Sequence, residues 1–149
     1  MSDDRSFADR NERSQHRLQA IIARLAPEEY AITLAGGWTV GATLAHLAFW
    51  DRWAARRWRD WERLSRFQTY PDDVIDMVND VALPEWLALP PDVAAGLALA
   101  SAAEIDAAIE ALPAEAVAEA LATGRDALID RSLHRAPHLD EIEAALAAG

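Results

Sequence analysis

From Val40 to Trp61 the apolar residues recur at intervals of three and four: Val40, Leu44, Leu47, Trp50 or Asp51, Ala54, Trp58 and Trp61. That spacing lays one continuous stripe along an α-helix, whereas on a strand it would fall on both faces. Thr39 follows Gly36-Gly37-Trp38 and carries the hydroxyl of an N-cap. A helix is therefore expected over residues 39–67, about 42 Å long at 1.5 Å per residue. The other elements must pack around it. His46 is the one ionisable group among the apolar residues of its early turns, sharing a stripe with Trp50 at i+4 and Trp53 at i+7. The ordinary role of such a histidine is a hydrogen-bonded core residue; the rarer one is a ligand or catalyst.

The rest of the chain reads as helix. Ala and Leu dominate, and no segment alternates apolar and polar long enough to make a strand. A first helix is expected over 4–25, with Phe7, Leu18, Ile21, Ile22 and Leu25 inward, closed ahead of Pro27. His16, among Arg13, Ser14, Gln15 and Arg17, reads as solvated. Residues 72–81 follow Pro71 with an acidic first turn and should be helical, with Asn79 on the flank. A break is expected over 84–89, with Trp86 tucked against the bundle. A long helix over 91–112 ends at Pro113, two turns follow over 114–122, and a last helix covers 125–147. The fold class is all-α, one domain over 1–149, with a core of Leu18, Ile22, Leu47, Trp58, Leu97, Ile105 and Ile142.

Composition removes several kinds of chemistry. The chain has no cysteine, and all of its 14 basic residues are Arg. Disulfides, thiolate ligands, a protein thiol nucleophile and a lysine Schiff base are thereby excluded. Residues 52–63 interleave Arg with Trp, a pattern that can mark a nucleic-acid surface. A net charge of −11 opposes phosphate binding, the tryptophans repeat at buried-face spacing, and Asp51, Asp60 and Glu62 can pair with the arginines. No nucleic-acid partner is expected. No run of eighteen apolar residues exists, so no membrane span is expected either. Residues 1–7 are polar and acidic, unlike a secretory leader, and the absence of cysteine fits a cytoplasmic protein. A small molecule is the expected partner. Trp50, Trp53, Trp58 and Trp61 cover more than one helical face, which predicts a homodimer burying some of them.

The last helix carries His134-Arg135-Ala136-Pro137-His138. Histidines at i and i+4 share one face about 6 Å apart, a spacing that suits two ligands of one metal. Ile142 and Ala145 continue the stripe, so both rings should look inward. Pro137 cannot bond back to the Leu133 carbonyl and predicts a bend. Three of the four histidines thus fall on inward stripes.

Trp38-Thr39-Val40, Leu44-Ala45-His46-Leu47 and His134 to His138 followed by Ile142 together resemble the DinB-like superfamily. Its members include the N-terminal domains of mycothiol-dependent maleylpyruvate isomerases and bacillithiol transferase-like proteins. The layout matches over the whole chain, and the specific motifs over some thirty residues. The resemblance implies an up-down-down-up four-helix bundle with His46, His134 and His138 around one divalent metal, zinc or nickel. Such an ion would keep open positions, as catalytic sites do. The resemblance further implies a metal-dependent thiol transferase or isomerase, with metal-activated hydrolysis as a variant. Since the chain owns no cysteine, the thiol would be a low-molecular-weight one. Trp50, Trp53 and Asn79 would contact it or the substrate, and arginines at the bundle mouth would hold an acidic group. The family usually has an acidic or polar residue between its last two histidines; here Arg135, Ala136 and Pro137 stand there. The chain is also expected to lack the further C-terminal domain of the isomerases, so maleylpyruvate is not assigned as substrate. The alternative is a non-catalytic metal- or ligand-binding module, again dimeric.

Overall fold

Over residues 4–149, the part of the chain that this computed structural model describes, the chain forms six α-helices and no strand. They are α1 (Ser6–Arg24), α2 (Val40–Leu64), α3 (Val74–Ala88), α4 (Pro91–Glu110), α5 (Ala114–Ala122) and α6 (Ser132–Ala148). Thr33 and Thr39 make one isolated antiparallel bridge. Residues 1–3, the start of the segment read as unlike a secretory leader, lie outside the described residues. None of the described helices is long and apolar enough to cross a membrane.

The first turn of α2 is fixed as its sequence dictates. Thr39 Oγ1 accepts a hydrogen bond from the Ala42 N–H at 3.1 Å. The chain reaches that cap through Gly36 and Gly37, both at positive φ (69° and 80°), which a side chain would strain. At its other end α2 stops three residues short of the expected Phe67. Ser65 turns left-handed (φ 55°) and its N–H closes on the Trp61 carbonyl at 2.7 Å. Phe67 then folds back edge-on to Trp58, ring centroids 5.0 Å apart, and that burial outweighs one more helical turn.

Two other expectations need correction. The break over 84–89 is absent, and α3 runs through Pro84 to Ala88. The proline frees only the carbonyl of Asp80, an exposed residue that water can reach, while Trp86 anchors the last turns against Trp38 and Phe49. Conversely, the last helix begins at Ser132, not near Arg125, after a short 3-10 turn at Asp126–Leu128. The backbone between them is spent elsewhere: Asp130 Oδ1 takes the Ser132 N–H and hydroxyl, and the Arg131 N–H donates to Asn11 Oδ1 at 2.7 Å. Pro137 is accommodated inside α6 because its orphaned carbonyl belongs to exposed Leu133.

The core has two main apolar clusters, one around Trp58, Ile105, Ile109 and Ile129, the other around Leu18, Leu44, Leu47, Leu139 and Ile142. The alanines of α4 let it approach α2, its most extensive neighbour: Ala98 and Ala102 are buried, and Leu97 is displaced to a half-buried position. Ile22 is half-buried too, packed on the second cluster; the other expected core residues are buried. The tryptophans of α2 are covered unequally, with Trp53 and Trp61 half-buried. Trp50 and Trp58 are buried, and Trp61 donates its indole N–H to Glu119.

Candidate metal centre

The inward stripe of α2 delivers His46 to the point where α6 presents His134 and His138, one helical turn apart. The three rings meet pairwise, with centroids 4.9, 4.7 and 5.1 Å apart. His46 Nε2 and His134 Nε2 lie at 2.9 Å, and one ring nitrogen from each of the three falls within 4.8 Å of the others. Trp38 and Trp86 stand edge-on to the His46 ring at 5.0 and 5.3 Å and hold it in place. His16 is exposed and far from this group in role, as its polar neighbours predicted.

All three imidazoles are held neutral, the state a ligand needs. Burial pushes His46 down to about 3, helped by His138 and Arg131. Burial pushes His134 down to about 2, with the positive Arg131 next in effect. His138 is lowered by burial as well. A tetrahedral ion with Zn–N bonds of 2.0–2.1 Å asks for ligand nitrogens about 3.3 Å apart. With its nitrogens within 4.8 Å of one another, the triad is compatible with a divalent ion once the rings draw together, and its all-imidazole donor set suits a transition metal.

Behind the histidines lies a charged layer that sequence reasoning missed. Asp51 accepts from Arg131 Nε at 2.8 Å and from Arg135 Nη2 at 3.3 Å. Arg135 is 0% exposed and also clamps Asp106 with two hydrogen bonds, at 2.9 and 2.8 Å, while Gln15 caps the same carboxylate. Asp106 is pushed up by its burial and pulled back by Arg135. The layer separates the two apolar clusters: on α2, Asp51 falls between Leu47 and Ala54, and on α6, Arg135 precedes Leu139. Asp51, expected to pair with the arginines of its own helix, pairs instead with Arg131 and Arg135; Asp60 does pair within α2, with Arg56 and Arg63. A sequence signal did exist. Asp51 occupies a stripe position that apolar residues otherwise fill, and Arg135 stands between two inward histidines.

Arg131 also touches the site directly, its Nη2 lying 3.4 Å from His134 Nδ1. A guanidinium has no acceptor, so that nitrogen accepts and the neutral ring keeps its proton on Nε2. His134 then donates to His46 Nε2, leaving the His46 proton on Nδ1, which is buried without a partner. Ligation through His134 Nε2 would move its proton to Nδ1 and turn Arg131 away.

The triad forms one wall of a cavity of about 700 Å³. Trp38, Trp50, Trp53, Tyr70 and Ile75 give it an aromatic and aliphatic lining, and Arg57 and Arg125 reach it as well. Asn79 lines it too: its Oδ1 accepts the Trp50 indole N–H at 2.9 Å, which fixes that ring. The expected contacts Trp50, Trp53 and Asn79 are thus brought to the same space as the three histidines.

Among known families, the one described as Mycothiol maleylpyruvate isomerase N-terminal domain matches residues 12–145. No curated protein and no solved structure matches the chain.

Proposed function

The chain belongs to the mycothiol maleylpyruvate isomerase N-terminal domain family, within the DinB-like superfamily, and from that premise we propose that it is a metal-dependent enzyme joining or rearranging a small molecule with the help of a low-molecular-weight thiol. The observation that carries this reading is the neutral three-histidine cluster at the wall of a large apolar cavity in a chain without cysteine. A divalent ion on His46, His134 and His138 would supply the charge that lowers the pKa of a bound thiol or water near neutral pH. The chain's own residues do the rest. Trp38 and Trp86 hold His46; Trp50 and Trp53 shield the cavity from water; Asn79 orients Trp50. Metal-activated hydrolysis would use the same residues.

The family relationship also supports an up-down-down-up arrangement of α1, α2, α4 and α6 and a cytoplasmic setting, where free thiols are kept reduced. Homodimer formation is proposed on a different surface from the tryptophans. Met77, Val81 and Leu87 leave apolar side chains exposed on α3, and a second copy of the chain would cover them.

The test uses untagged protein loaded with Zn(II) or Ni(II), assayed with a panel of small thiols and the electrophile 1-chloro-2,4-dinitrobenzene. Thiol- and metal-dependent turnover that His46→Ala abolishes is the expected result. Stoichiometric metal with no turnover across the panel would favour the non-catalytic binding module.

A further inference from the structure

The cavity has a second chemical end. His46, Trp50, Trp53 and Arg57 lie at i, i+4, i+7 and i+11, one face of α2, and all four line it. Arg57 therefore stands about 16 Å of helix axis from the histidine end. There its guanidinium carbon lies 5.0 Å from the Tyr70 ring centroid and 5.5 Å from that of Phe67. Arg125 approaches the same Phe67 ring from the turn that follows α5, at 5.1 Å. Its position is built into the local fold. Gly124 adopts φ 68°, and the Gly124 and Arg125 N–H groups close on the carbonyls of Leu121 (3.3 Å) and Ala120 (2.8 Å), a Schellman ending that directs Arg125 back to the cavity.

Two positive charges on one aromatic ring are not neutralised by the protein. Arg57 donates to the Tyr70 hydroxyl and the Gln68 carbonyl, both at 3.0 Å, and has further N–H groups to spare. The Arg125 side chain makes no hydrogen bond or ion pair among the described residues. Arg131, the third arginine of the lining, is already matched by Asp51. The one carboxylate of the lining, Asp72, is exposed and forms no ion pair with either arginine. A chain of net charge −11 thus places cations with no carboxylate partner in this cavity. Between the two ends, the Trp53 indole N–H is buried with no acceptor. That is an open donor on a wall otherwise made of rings.

We propose that Arg57 and Arg125 form a carboxylate subsite, and that the cavity takes a flat apolar small molecule whose acidic end pairs with these two guanidiniums while its body lies along Trp53 and Trp50. A guanidinium matches a carboxylate in geometry as well as charge, and a second one on the same lining adds to the attraction. The inference rests on the function proposed above only in directing the other end of that molecule to the histidines; the acid subsite itself needs no metal.

Calorimetry with 2-naphthoate and its neutral amide, 2-naphthamide, on metal-free protein tests it. The acid should bind at least tenfold more tightly than the amide. Arg125→Gln and Arg57→Gln should each bring the two within about threefold, and Arg13→Gln, on the exposed side of α1, should leave the preference intact. Raising NaCl from 50 to 500 mM should shrink the preference of the unaltered protein, a reading that no variant's folding can confuse. Equal binding of acid and amide, no saturable naphthoate binding at millimolar concentration, or a preference that survives both substitutions would overturn the proposal. So would a preference that appears only with Zn(II), since the carboxylate would then sit at the histidines. An acid preference that depends on Arg125, in a protein inactive with every thiol, would uphold the subsite and sink the catalytic reading alone.

Discussion

Arg131 and Asp51 form an ion pair of 2.8 Å between side chains that are 5% and 2% exposed, directly behind the histidine triad. Because Arg135 shares the same carboxylate, Asp51→Asn leaves Arg135 with Asp106 alone and strips Arg131 of the carboxylate it pairs with. The expected loss is about 3–5 kcal/mol in urea unfolding. Asp140→Asn, at the exposed Arg17 pair on the surface, should cost no more than about 1 kcal/mol. Similar losses for the two variants would mean that the buried layer is not structural.

Metal should stabilise the fold, since the three ligands come together only when it forms. At a free Zn(II) concentration a hundredfold above the dissociation constant, the gain is about 2.7 kcal/mol. His46→Ala and His138→Ala should abolish the metal-dependent rise in melting temperature and remain helical by circular dichroism. His16→Ala, on an exposed face of α1, should retain it. A melting temperature indifferent to both Zn(II) and chelator would reduce His46 to a core residue.

In the metal-free protein the same histidines make stability depend on pH. An unfolded imidazole titrates near 6.5, whereas His46 and His134 are held down to about 3 and about 2. Above 6.5 neither state binds the proton and the contribution is constant. Below it the unfolded chain gains protons that the folded chain refuses, so stability falls as pH falls. Between pH 7.5 and 5.5 the loss is about 1.4 kcal/mol for each histidine. Urea titrations in EDTA at these two values should show it, and the double variant His46→Gln/His134→Gln should show a correspondingly flatter dependence.

A homodimer held through α3 should give twice the chain mass by light scattering at micromolar concentration. Val81→Glu, at a position 75% exposed, should return the monomer without lowering the melting temperature of the monomer itself. A monomer mass for the unaltered protein removes the proposal.

The sequence made the helices legible wherever a local signal sufficed. The Thr39 cap, the stripe of α2 and the i, i+4 pair on α6 each depend on residues within a turn or two of one another. What it hid was long-range. Asp51, Asp106 and Arg135 become partners only when three helices meet, and nothing in the neighbourhood of any one of them names the other two. The proline at 84 misled for a related reason: its cost is set by whether water reaches the Asp80 carbonyl, which depends on the side of α3 that faces the bundle. The same holds for the tryptophans of α2. Their stripe places them on one helix, but that Phe67 folds back on Trp58 and Glu119 reaches the Trp61 indole is decided by segments beyond that helix.

One helix, α6, carries two of the three imidazoles and also the guanidinium that bridges Asp51 and Asp106. Peeling it away would strip the site of His134 and His138 and, in the same motion, strand Arg135 and its carboxylates in the apolar interior. Asn11 fastens the start of this helix to α1, 120 residues away, through the Arg131 N–H. No half-open form of the site is therefore cheap. Loss of the binding centre and loss of the fold should be one cooperative event, and a slow exchange of a bound ion would measure how rarely α6 lets go.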